Sequence, residues 1–146
     1  MEYEYNQADV ASAQLDAAIR LFLDDEDYFS SATLAGAADE IFGKMIEDQG
    51  GKNSLSIDTD HLMSLLTDVE KDTLKTKKGE RNGIMNILNF QRNWLKHRNK
   101  ENFTNYNDPK FEARELLNRS VRNFLVLNNK RTNSINRFLE YLSHAG

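Results

Sequence analysis

The hydrophobic positions of this chain recur at helical spacing. Over residues 6–23, Leu15, Ala18, Ile19, Phe22 and Leu23 fall at i, i+3, i+4, i+7 and i+8, which predicts a first helix with one apolar face. The run Asp24-Asp25-Glu26-Asp27 breaks that pattern, and its carboxylates suit the N-terminal side of a following helix, where the dipole favours negative charge. Residues 28–48 form the second expected helix, with Leu34, Ala38, Ile41 and Met45 as its packed seam. Ala35, Gly36, Ala37 and Gly43 give it a small-residue surface that another helix can approach closely. Gly50-Gly51 marks a loop over residues 49–53. A short helix is expected over 61–69, capped by Asp58, Thr59 or Asp60.

The second half continues the helical pattern. Residues 71–82 are polar and basic, with Lys75, Lys77, Lys78 and Arg81 close together, and read as a mobile surface loop. One helix is expected over 83–97, followed by a polar connection over 98–107. Asp108-Pro109 then supplies a cap and a proline at the first helical position. The helix that it opens reaches about Leu127, with Ala113, Leu116, Leu117, Val121, Phe124 and Leu125 inward, and Asn128-Asn129 ends it. Thr132 or Asn133 caps a last helix built on Ile135, Phe138, Leu139 and Leu142. The fold class is therefore all-α: a single-domain antiparallel bundle of five to six helices spanning residues 1–146.

Composition supports this picture and narrows the chemistry. There is 1 proline and no cysteine, so a disulfide framework, a zinc–cysteine site and a thiol nucleophile are excluded. No apolar run approaches the ~20 residues of a membrane span, and the start, Met1-Glu2-Tyr3-Glu4-Tyr5, is unlike a leader peptide. A cytoplasmic protein without a membrane partner is the expectation. The formal net charge of -4 conceals a division. Of the 23 acidic side chains 16 lie before residue 71, whereas 16 of the 19 basic ones lie after residue 70. Such asymmetry serves a polyanion-binding face, docking between subunits, or cohesion between the two halves of one domain. No cofactor or metal is expected. The three histidines, His61, His97 and His144, sit on different elements, there is no Glu-x-x-His pair, and no phosphate loop follows Gly50-Gly51.

The segment that does carry chemistry is Arg92-Asn93-Trp94-Leu95-Lys96-His97. It resembles the R-x(4–6)-H motif of HEPN domains. Ala17-Ala18-Ile19-Arg20-Leu21-Phe22 and Thr33-Leu34-Ala35-Gly36-Ala37-Ala38 are similar to an uncharacterised bacterial HEPN-like group, in which a pair like Lys96-His97 also closes a mid-chain helix. Together the similar segments cover roughly a third of the chain. The resemblance implies a small helical bundle, a homodimer, and in many members cleavage of RNA without a metal. It also brings an antitoxin or regulatory protein into view as a partner. One toxin branch, however, carries a tyrosine two positions after the histidine, where this chain has Asn99.

Two readings follow. In a metal-independent endoribonuclease, His97 is the acid/base, Arg92 stabilises phosphorane charge, Asn93 orients, and Lys96 and Arg98 hold the RNA backbone. At 100° per residue, a continuous helix sets Arg92 roughly 140° from His97, so either the helix ends between them or a second chain supplies one of them. Phe90 and Trp94 border Asn93 and His97 away from the expected core, which predicts a homodimer interface there, the alternative being that they pack under another helix of the same chain. In the other reading the chain is a non-catalytic homodimeric binding or regulatory module, with Arg92 paired to a carboxylate of the acidic half and His97 at a helix end. Burial of Arg92 in a salt bridge within one chain favours the second.

Overall fold

A computed structural model describes residues 1–96, 104–128 and 130–145, and among these residues it is all helical. Four long helices share the main core: α1 (Gln7–Leu23), α2 (Tyr28–Asp48), α7 (Pro109–Leu127) and α8 (Asn133–His144). Their ends are where the sequence places stop and start signals. Asn6 and Asp9 form a reciprocal capping box on α1, Asp27 accepts from the Ser30 amide at the start of α2, Asp108 precedes Pro109 at α7, and Thr132 caps α8. Leu15, Ile19 and Phe22 of α1 meet Phe42 of α2, Leu117 and Val121 of α7, and Ile135 and Phe138 of α8, all buried. Phe22 anchors an aromatic cluster edge-on to Tyr28 and Tyr141, each at a centroid separation of 5.3 Å.

On α2 the inward face is offset from the expected seam. Ala35, Ala38, Asp39, Phe42 and Ile46 are buried, whereas Leu34, Ile41 and Met45 are only partly covered. The helix packs against α1 and α7, and the face it buries mixes the small Ala35 and Ala38 with the bulky Phe42 and Ile46. The small-residue surface does admit a close neighbour. A Cβ added to Gly36 would lie 3.1 Å from Cγ of Arg92, and one added to Gly43 would lie 3.3 Å from Nδ2 of Asn53.

The middle of the chain departs further from expectation. The helix assigned to 61–69 is instead α3 (Ser54–Leu65), capped by Asn53. The three residues proposed as its cap are used otherwise: Asp58 pairs with Arg122, Thr59 bonds the Leu55 carbonyl, and Asp60 pairs with Lys52 and Arg81. Residues 71–82 are not a plain loop. A Thr67–Glu70 capping box opens α4 (Asp68–Leu74), and a tight turn from Thr76 to Gly79 leads into α5 (Glu80–Leu88). Gly79 has φ +106, a conformation that favours glycine. The single helix expected over 83–97 is two, α5 and α6 (Phe90–Lys96), separated at Asn89. The bundle thus has eight helices among the described residues, because the helix expected over 83–97 is divided and α4 forms in the stretch expected as a loop.

Gly83 lies where α5 passes the end of α4. A Cβ added there would stand 1.9 Å from the Leu74 carbonyl oxygen, backbone that cannot yield cheaply. Gly83→Ala is expected to destabilise the protein by about 1–3 kcal/mol or more through overpacking, read as a lower urea midpoint at unchanged slope. An unchanged midpoint would contradict this close approach.

Candidate functional site

Of the side chains singled out for chemistry, Arg92 enters a buried polar cluster. Its centre is Asp39, a lone carboxylate on the buried face of α2 with only 2% of its side chain exposed. Oδ2 of Asp39 accepts from Nη1 of Arg92 at 2.9 Å and from Nη2 of Arg119 at 2.5 Å, while Oδ1 accepts from Nδ2 of Asn123 at 3.0 Å. Asn123 continues the network, its Oδ1 accepting from both the amide and the hydroxyl of Ser54 at 2.8 Å. One carboxylate therefore ties together α2, α6 and α7 directly, and α3 through Asn123.

Arg119 accounts for the break between α5 and α6. Its Nη1 donates to the Leu88 carbonyl at 2.9 Å and its Nη2 to the Asn89 side chain, also at 2.9 Å. A side chain inserted at a helix ladder is a recognised cause of a sharp bend. Among the described residues, Nε of Arg119 has no acceptor. The sequence signal for this network was present in the helical phase: Asp39 lies four residues after Ala35, and Arg119 and Asn123 lie three and seven after Leu116. Polar residues standing on apolar stripes mark a paired cluster, because burying a charge without a partner is costly.

Each expected site residue can now be placed. Arg92 is mostly buried, with 19% of its side chain exposed, and is engaged by Asp39. Lys96, one turn on, is 48% exposed and grips Glu40 through both carboxylate oxygens, at 2.9 and 2.8 Å. The consecutive acids of α2 are thus met by an i, i+4 pair of cations on α6. Asn93 is exposed, and its Oδ1 accepts from Nδ2 of Asn89 at 3.5 Å, the same Asn89 side chain that accepts from Arg119. Phe90 and Trp94 are half-buried. His97 and Arg98 lie outside the described residues, as does Asn99. The alternative R-x(4–6)-H pairing, Arg137 with His144, is occupied differently: Arg137 bonds Asp24 through both terminal nitrogens.

The charge division has a structural counterpart. Ion pairs from Asp39, Glu40, Asp58, Asp60 and Asp24 in the acidic half reach Arg92, Arg119, Lys96, Arg122, Arg81 and Arg137 in the basic half. The Lys96 hydrogen bond holds the Glu40 carboxyl below its ordinary value of 4.5, with smaller help from Arg92 and Lys44. On α7, burial pushes the Glu112 carboxyl up, and Glu115 and Asp108 add to that.

Two cavities lie on either side of Arg92. One, of about 190 Å³, opens between α2 and α6 over Gly36, Ala37 and Leu95, with Glu40 and Lys96 at its rim. The other, of similar volume, reaches toward Asn53 and Asn123. No group of three or more His, Asp or Glu side chains suited to a metal ion occurs among the described residues, and no described helix is long and apolar enough to cross a membrane. No family model, curated protein or solved structure matches the chain.

Two outcomes test this electrostatic arrangement. Asp39→Ala strands two guanidiniums in the interior and is expected to cost about 3–5 kcal/mol in urea unfolding; a cost below about 1 kcal/mol would contradict the hub. Because Glu40 is lowered in the folded state, its contribution is present above pH 4.5 and is lost as pH falls through the lowered folded value. The stability gap between wild type and Glu40→Gln should therefore close on acidification from pH 7, and a gap constant to pH 3 would contradict the Lys96 bond.

Proposed function

We propose that this chain is a HEPN-like, non-catalytic homodimeric binding module, in which the arginine of the R-x(4–6)-H motif serves the fold. The observation that carries the reading is the intrachain ion pair between Arg92 and buried Asp39. A guanidinium that stabilises a phosphorane must give its donors to phosphate oxygens in the transition state. Here Nη1 of Arg92 is spent on Asp39, and Lys96, the residue expected on the RNA backbone, is bonded to Glu40. Releasing either toward RNA takes one cation from a carboxylate of α2, leaving Asp39, almost fully buried, to Arg119 and Asn123, and Glu40 to Lys44.

One observation favours the metal-independent endoribonuclease as a second reading. Among the described residues, Arg92 has no acceptor other than Asp39, so Nε and Nη2 remain to receive an anion beside the exposed Lys96. In that reading His97 acts as acid/base, Asn93 orients and Arg98 assists Lys96, and the product is a 2′,3′-cyclic phosphate.

The homodimer belongs to both readings. Ile87, 50% exposed, and Phe111, 48% exposed, stand beside a cleft lined by Asn86, Ile87, Phe90, Asn107 and Glu112. This apolar margin extends the face assigned to Phe90 and Trp94 and suits a second copy, with an antitoxin or another regulatory protein bound elsewhere on the dimer.

Wild type and His97→Ala are to be compared on mixed RNA in EDTA, with neither expected to cleave above background. Cyclic-phosphate products lost in His97→Ala would overturn the module reading in favour of the nuclease. Sedimentation equilibrium is expected to give twice 16.8 kDa for wild type and a monomer for Ile87→Glu/Phe111→Glu. A monomeric wild type at micromolar concentration would remove the dimer.

A further inference from the structure

We infer that the cavity between α2 and α6 binds a small amphipathic carboxylate, an anionic head on an apolar tail of about four to six carbons, and that Glu40 occupies the cationic rim when the ligand is absent. This inference rests on the binding-module reading and names its ligand class. The cavity volume of about 190 Å³ exceeds the ~150 Å³ apolar cavity that admits benzene, so a short tail fits. Its floor is apolar: the bare backbone at Gly36, the methyl of Ala37 and the side chain of Leu95. A wholly charged ligand would gain nothing from that floor.

The rim supplies the opposite chemistry. Arg92 and Lys96 stand together on one face of α6 with Glu40 between them and α2. Around the site, the cations Arg92, Arg119, Lys96 and Lys44 meet the carboxylates Asp39, Glu40 and Glu47, and Glu47 is turned to Nδ2 of Asn53. The balance is cationic by one charge, which complements a monoanion. Arg92 gives only Nη1 to Asp39 among the described residues, so its other nitrogens suit a charge-assisted bond to a ligand oxygen without breaking the hub. Glu40 already displays the recognition: both of its oxygens lie on Nζ of Lys96, and its partly exposed side chain has Lys44 as a second partner on the solvent side of the pair. A ligand carboxylate takes its place, and the tail descends onto Gly36 and Ala37.

The arrangement makes Glu40 a competitor, so removing its charge is expected to improve binding. Hexanoate, hexanol and hexylammonium are titrated at low salt into the full chain, followed by calorimetry and by amide chemical shifts. Hexanoate is expected to saturate one site per chain, with shifts centred on Gly36, Ala37 and Leu95, and hexanol to bind at least tenfold more weakly. Glu40→Gln should tighten hexanoate about fivefold, the scale of one partly exposed ion pair. Ala37→Leu, which fills the cavity and leaves every ion pair in place, should abolish binding while the helical circular dichroism is unchanged. Absence of saturation in both wild type and Glu40→Gln, or equal or weaker affinity in Glu40→Gln, overturns the ligand assignment. The RNA assay judges the module reading separately: a failed titration without RNA cleavage removes the ligand alone, whereas His97-dependent cleavage removes the module.

Discussion

A single buried carboxylate facing two guanidiniums organises this molecule. Asp39 has nowhere to go but the interior, because α1 and α7 cover both flanks of α2. Its charge is tolerable there only when hydrogen-bonded and paired. Arg119 supplies the first partner from α7, Arg92 the second from α6, and Asn123 the remaining bond. The consequences spread outward. Arg119 also takes the Leu88 carbonyl at the junction of α5 and α6, and on α6 Arg92 and Lys96 both pair with acids of α2. Gly36 is small enough to let the Arg92 stem lie against the helix. Arg92, the arginine of the motif, is thereby one of the two guanidiniums that neutralise a buried acid.

The long helices were legible because packing and capping agree with one another there. Asn6, Asp27, Asp108 and Thr132 cap helices whose apolar faces repeat at 3.6 residues, so local and tertiary preferences point the same way. The middle of the chain was harder to read since its ends are decided by partners distant in sequence. Nothing near Asn89 signals a break; the cause is Arg119, 30 residues on. Asp58 and Asp60 look like caps from their neighbours, yet Arg122 and Arg81 claim them. On α2 the expected seam of Leu34, Ala38, Ile41 and Met45 is right only at Ala38, since the contacts with α1 and α7 bury Ala35, Phe42 and Ile46 instead of the other three.

For the site, the sequence disclosed the residues but not their allegiance. Arg92 and Lys96 stand out in a R-x(4–6)-H segment, and the excess of acids before residue 71 already suggested carboxylate partners. Which acids these are depends on the turn of α6, itself set by Arg119. His97 and Arg98 fall outside the described residues, so the structural half of the motif is the half on which the present account is built. The cations that pair α6 with α2 also border a small, apolar-floored cavity.

The account depends on Arg92 being a strut. The most direct measurement is a double-mutant cycle in urea on Asp39→Asn, Arg92→Met and the double variant at pH 7. A coupling energy of about 1.5 kcal/mol or more, as for a hydrogen-bonded charge pair with a buried partner, is the predicted result. Additive effects, with coupling near zero, would show that Arg92 is not held by Asp39 and would return it to the solvent-facing chemistry that its motif suggests.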